Sequence, residues 1–284
     1  MVECLDCGHM APFSITAVAC PNCNGQWREA RYDLEMVKQV LPEEVKSRAF
    51  NLWRYRELLP VTGPNPALLM GEGGTPLIRA ANLGMMLGCS NLYIKDERQG
   101  PTSSFKDRQA AITITALKDA GITEAVLAST GNVAIAYSAF AARAGIKLWT
   151  FLTSLVPAEK MREVAIYGSQ VVKVTASYDQ VKQVAAEFAR QRGLYLERGS
   201  RSIPSVEGMK TIAYEVVEQV TEIMGPPAAA NNHAAASAAW RSPDWYIQAV
   251  SGGLGPHGVQ KGFDELWQMG LIDRLPAMAH IQAE

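Results

Sequence analysis

From Asn91 onward the chain alternates between short apolar runs and longer stretches of helical periodicity. The runs are NLYIKD (91–96), AVLAS (125–129), KLWTFLT (147–153), QVVKVT (170–175), LYLER (194–198), DWYIQAV (244–250) and AMAHIQ (277–282). They are strand-sized, and the stretches between them are helix-sized. Strands joined through helices run parallel, and a parallel strand is covered on both faces, so its sequence is apolar throughout. The pattern sets an α/β class with open, mostly parallel sheets flanked by helices. Local punctuation agrees: Pro157 suits a first helical turn, Ser177 an N-cap, and Gly145 a helix end.

Residues 1–32 follow a different logic. They hold two CxxC pairs, CLDC (Cys4, Cys7) and CPNC (Cys20, Cys23). In a reducing compartment such knuckles read as a tetrahedral zinc site, structural because four thiolates leave no open position. A unit below roughly 40 residues needs such a staple. Cys89 stands alone and reads as a small buried hydrophobe. NLWRYRELLP (51–60) reads as a helix stopped by Pro60, and GEGGTPL (71–77) as a glycine-rich turn. The stretch GPPAAANNHAAASAAW (225–240) breaks the alternation and reads as a surface insertion, with His233 a solvated loop residue.

Of 284 residues, 48% are hydrophobic and 19% charged, with a net charge of −1. That balance argues against a general binder of nucleic acid or anionic membranes. No apolar stretch approaches the roughly 20 residues of a membrane span. The start, MVECLDCGHMAPF, lacks a secretory pattern, so the expected compartment is the cytoplasm.

Three turns at strand-to-helix junctions carry the chemistry, where open α/β sheets bind ligands. In PTSSFKDR (101–108), Lys106 stands in a first helical turn, against the positive end of the dipole. That field and partial burial lower its pKa, making a neutral amine available for a Schiff base with an aldehyde. STGN (129–132) offers hydroxyls, a glycine and backbone N–H groups at a helix start, a carboxylate-sized anion site in which Asn132 also suits an N-cap. SGGLG (251–255) lets the backbone close on a phosphate at another helix N-terminus, and it is neither a Walker loop nor GxGxxG. Activated amine, carboxylate nest and phosphate cradle together describe pyridoxal phosphate (PLP) with an amino-acid substrate.

PTSSFKDR, STGN, EGMKTIAYE (207–215) and SGGLGPHGV with KGF, in this order, resemble the fold-type II PLP enzymes, whose architecture is tryptophan synthase β-like. The Cys₄ ribbon, GEGGTPL and KDERQGPTSSFKDR narrow the resemblance to the threonine synthase family, over nearly the whole chain apart from 225–240. The resemblance implies a catalytic region of 33–284 with a small subdomain at about 120–205, and a homodimer as one assembly such a chain could form. It implies that Lys106 holds the cofactor with Phe105 packed beside it, and that Asn132 bonds the ring hydroxyl oxygen. Ser129, Thr130 and Gly131, with Asn132, would hold the substrate carboxylate. Ser251, Gly252, Gly253, Leu254 and Gly255 would wrap the cofactor phosphate. The implied reaction converts O-phospho-L-homoserine and water into L-threonine and phosphate, with Lys106 as general base. A threonine or serine dehydratase of the same fold is the nearest alternative, and a non-catalytic assembly or regulatory protein the alternative of another class.

Two departures bear on the substrate. Where this family commonly places hydroxyl or basic residues for the substrate phosphate, the chain has Val133 and Ser205; Arg198 and Arg201 read equally as substitute phosphate clamps or as solvated surface arginines. Family members also continue past the point matching HIQAE, in a part that supplies a hydroxyl to the pyridine nitrogen. A chain stopping at Glu284 is expected to be a fragment with an uncovered sheet edge.

Overall fold

The computed structural model describes residues 1–129, 131–227 and 238–282; Thr130, His233 with the rest of 228–237, and the last two residues lie outside the described residues. In the ribbon, β1 (Val2–Cys4) pairs antiparallel with β2 (Met10–Ala11) and β3 (Arg28–Ala30). Next comes α1 (Leu34–Ser47), whose cap Asp33 accepts the Met36 N–H. Sequence reading missed this helix because Pro42 lies inside it, where the ring removes a backbone bond. Its buried stripe, Val37, Leu41 and Val45, was the usable signal. Residues Leu52–Leu58 form a 3₁₀ helix interrupted at Tyr55, in place of a regular α-helix.

A hairpin-like pair, β4 (Leu77–Arg79) and β5 (Tyr93–Lys95), runs antiparallel around α2 (Ala81–Met86). Cys89 corrects its expectation: it follows α2, its N–H bonds the Gly84 carbonyl at 2.7 Å, and its side chain is exposed. The central helix α3 (Lys106–Asp119) is buried from Asp107 to Leu117. Then the alternation read from sequence unfolds: β6 (Glu124–Ala128), α4 (Asn132–Ala144), β7 (Lys147–Thr153), α5 (Ala158–Ile166), β8 (Gln170–Val174), α6 (Tyr178–Arg192) and β9 (Tyr195–Leu196). The sheet is parallel throughout, in the order β8-β7-β6-β9. Ser177 caps α6 in a capping box with Gln180, and Gly145 ends α4 in a left-handed conformation.

The chain closes with α7 (Ile203–Met224), β10 (Trp245–Ala249), α8 (Leu254–Gln268) and β11 (Ala277–Ile281), the two strands parallel. One core joins α3 and α4 to the strands through Ile114, Leu127, Tyr137 and Phe140. A second joins α1, α7 and α8 through Leu41, Met209, Tyr214 and Phe263. No described helix is long and apolar enough to cross a membrane.

Charges are buried between these layers, and they are paired. The Arg108 guanidinium donates to both Glu215 oxygens, at 2.6 and 2.8 Å, and to both Glu97 oxygens at 2.8 Å. Lys95 Nζ donates to Glu215 at 2.6 Å and to Gln219 at 2.7 Å, and the Gly74 N–H reaches Glu215 at 2.8 Å. Four sequence motifs, GEGGTPL, KDER, FKDR and EGMKTIAYE, thus meet in one network. A second network fastens the ribbon. Lys261 donates to the Ala30 carbonyl at 2.7 Å and to Glu207 at 2.6 Å, and the Tyr32 hydroxyl donates to Glu207 at 2.8 Å.

Candidate active site

Lys106 is the first residue of α3, directly after Phe105. The approach loop is fixed from below: the Asp107 carboxylate accepts the Thr102 N–H at 2.9 Å and the Thr102 hydroxyl. The Lys106 ammonium lies 3.9 Å from the Phe105 ring centroid. Burial lowers its pKa to about 8, since an ammonium half out of water loses hydration. The positive end of the α3 dipole acts in the same direction.

Phe105 also ties this lysine to the glycine turn. A Cβ placed on Gly255 would sit 3.0 Å from the Phe105 ring edge and 2.7 Å from Gln248 Nε2. Gly253, with φ +78°, takes the left-handed conformation that turns the chain from β10 into α8. Ser251 and Gly252 are exposed ahead of it, and the first N–H groups of α8 lack intrahelical partners. The turn is therefore a cradle of backbone donors at a helix N-terminus, and it fits a phosphate.

The third turn sits at the same end as Lys106. α3 and α4 lie side by side, with Tyr137 donating to Thr113 at 3.0 Å near their middles and Lys118 donating to the Ala144 carbonyl at 2.8 Å at their C-terminal ends. Their N-termini, Lys106 and Asn132, consequently share one face of the molecule. Ser129 is buried and its hydroxyl accepts the Gly131 N–H at 3.4 Å. Thr130 is outside the described residues. Asn132 is not a cap: Gly131 holds that position, and the Asn132 side-chain oxygen Oδ1 instead accepts from Lys160 Nζ at 3.3 Å. Lys160 was missed from sequence because nothing in local spacing links α5 to the STGN turn.

The two candidate phosphate-clamp arginines face the ribbon. Arg198 donates to the Val18 carbonyl at 2.8 Å, and Arg201 donates to the Gln26 side chain. Ser205 is fully buried, bonded to Tyr137 at 2.8 Å and Glu197 at 2.9 Å, and Val133 packs on the core. Cavities of about 490 and 460 Å³ border the ribbon, and neither is lined by Lys106 or Asn132. The candidate site is therefore marked by the turns and not by either hollow.

In the ribbon, the four Sγ atoms of Cys4, Cys7, Cys20 and Cys23 lie within 4.8 Å of one another, with separations of 3.5 Å for Cys4–Cys23 and 3.7 Å for Cys7–Cys20. A tetrahedral zinc with Zn–S bonds of about 2.3 Å spaces its thiolates about 3.8 Å apart. Backbone N–H groups of Asn22 and Gly25 donate to Cys20 and Cys23 Sγ at 3.4 and 3.3 Å, which suits thiolates. The donor set fits the metal.

A family model described as "Pyridoxal-phosphate dependent enzyme" matches residues 68–277. The chain is similar to a threonine synthase of Methanocaldococcus jannaschii, 32% identical over 99% of this chain and 65% of that protein. It is 28% identical to a threonine synthase of Methanosarcina acetivorans, over 100% of this chain and 64% of that one. It spans a little under two thirds of the length of these relatives. Among solved structures, maize serine racemase is similar with a TM-score of 0.57 and 26% identity, covering 70% of this chain and 54% of that one. The site geometry, the fold-type II α/β architecture and the match across most of the sequence lead to one conclusion: the chain belongs to the pyridoxal-phosphate dependent enzyme family.

Proposed function

We propose that the chain carries the catalytic machinery of a threonine synthase, converting O-phospho-L-homoserine and water into L-threonine and phosphate. One observation carries the reading: Lys106, with its pKa lowered to about 8, stands beside a phenylalanine that touches the glycine turn of α8. Relatives named threonine synthases, together with the order of the motifs, support this choice of substrate. When bound, PLP supplies an electron sink for a carbanion at the substrate Cα. The residues of this chain do the rest. Ser251 to Gly255 hold the cofactor phosphate with backbone N–H groups, and Ser129, Gly131 and Thr130 hold the substrate carboxylate. Phe105 keeps water from the amine, and Asn132 addresses the cofactor ring. Lys106 Nζ, freed as a neutral amine, moves the protons at Cα and Cβ. The ribbon, residues 1–32, holds a structural zinc on Cys4, Cys7, Cys20 and Cys23, and 33–284 forms the PLP-binding region with a small subdomain at about 120–205.

Supplied with PLP and O-phospho-L-homoserine, the protein should release phosphate and form threonine in equal amounts. Ketobutyrate made from threonine, with no phosphate released, would replace this reading with a dehydratase. A cofactor-supplied chain that stays colourless would favour a non-catalytic role. Metal analysis after purification without chelators should find about one zinc per chain; zinc-free protein would remove the ribbon assignment.

A further inference from the structure

Lys160 has no part in the chemistry described so far. It stands in the first turn of α5, which follows β7, just as the STGN turn follows the adjacent parallel strand β6. Both turns therefore open at the same edge of the sheet. Lys160 Nζ donates to Asn132 Oδ1 at 3.3 Å and to Glu163 at 3.5 Å. Among the described residues Glu163, on α5 itself, is its only ion-pair partner, and the α4 side faces it with the uncharged Asn132.

The chemistry of this contact decides an orientation. A lysine ammonium has three donors and no acceptor, so the amide atom facing it is the oxygen. The two donors of Asn132 Nδ2 are then turned away from α5, and among the described residues no acceptor meets them. Without Lys160, oxygen and nitrogen would exchange places at little cost, and half of the orientations would show the ring an acceptor.

We propose that Lys160 is a positioning residue that locks the Asn132 amide with its NH₂ group presented to the bound cofactor's ring oxygen. This rests on the reading that PLP binds at Lys106. A donor aimed at that oxygen, with a cation behind it, favours the deprotonated form of the bound cofactor. Both effects lower the pH at which its visible band titrates, and loss of Lys160 raises it.

The test uses the PLP-loaded, substrate-free protein. Lys160→Met keeps the aliphatic stem and removes the donors, at a position whose side chain is 41% exposed, so folding is preserved. The visible band of this variant is expected to titrate about one pH unit higher than in the parent, with PLP held about three- to tenfold more weakly in equilibrium dialysis. Lys160→Arg, which keeps a cationic donor, is expected to restore both. A methionine variant matching the parent in band titration and PLP affinity overturns the proposal, and so does an arginine variant that behaves like the methionine one. Failure of the PLP reading itself would look different: the parent protein would show no visible band and no borohydride label at Lys106.

Discussion

Replacing Lys106 with alanine is expected to leave a folded protein that holds no cofactor covalently and turns over on the order of 10²–10⁴-fold more slowly. The fold should survive because the Lys106 side chain makes no hydrogen bond or ion pair among the described residues, only its contact with the Phe105 ring. The chemistry should fall by that factor, because alanine offers no amine at the start of α3. With its pKa lowered to about 8, about a tenth of the Lys106 amine is neutral at pH 7, against about three in ten thousand for an ordinary lysine. The rate at which the parent protein captures PLP should accordingly climb with pH and level off above about 8, rather than near the usual lysine value. Stopped-flow absorbance across that range reads the profile, and borohydride reduction with peptide mapping locates the bond. Lys106→Arg should be as inactive as the alanine variant, since it keeps a charge but offers no nucleophile. Label on a different lysine of the intact protein would defeat the assignment.

The second large effect is on stability. Arg108→Met should cost about 3–5 kcal/mol, read as a lower urea midpoint at unchanged slope. Methionine fills much of the volume, so the loss arises from charge. Glu215 and Glu97 would lose their shared partner, and Glu215, fully buried, would keep only Lys95 and the Gly74 N–H. Burial alone would raise the Glu215 pKa, but the Arg108 guanidinium and the Lys95 ammonium outweigh it and hold the carboxyl at about 2. That value is depressed relative to an unfolded glutamate, near 4.3. The pair's contribution is therefore complete above that unfolded value and fades as pH falls toward about 2. The stability gap between parent and variant should narrow on acidification over that window. A loss below about 1 kcal/mol near neutral pH would mean that the network relaxes to water without penalty.

The strand–helix alternation was legible because each strand is a short, mostly apolar run that local spacing preserves, whether largely buried as in β6 and β7 or largely exposed as in β10 and β11. The turns that carry Lys106, STGN and SGGLG were legible as helix starts, and the structure begins α3, α4 and α8 there. The α1 helix was masked by one residue, Pro42, whose local preference its buried stripe outweighs. Cys89 was misjudged because composition alone gives no solvent exposure, and the α2 end that carries it is exposed. Arg198 and Arg201 illustrate a different limit: their partners, Val18 and Gln26, lie far back in the ribbon, and spacing carries no record of such pairings. The same holds for EGMKTIAYE, a family mark in sequence, where in the fold Lys210 pairs with Glu207 and Glu265 and Glu215 pairs with Lys95 and Arg108.

The ribbon's anchoring also has a consequence in time. Tyr32 waits for Glu207, 175 positions later, and the Ala30 carbonyl waits for Lys261, 231 positions later. At roughly 5–20 residues per second of translation, the first thirty residues leave the ribosome on the order of ten to forty seconds before their docking partners exist. During that interval the nascent segment has only its own three short strands and four thiolates to hold its shape, so an early-bound ion would act as a placeholder until the last helices arrive.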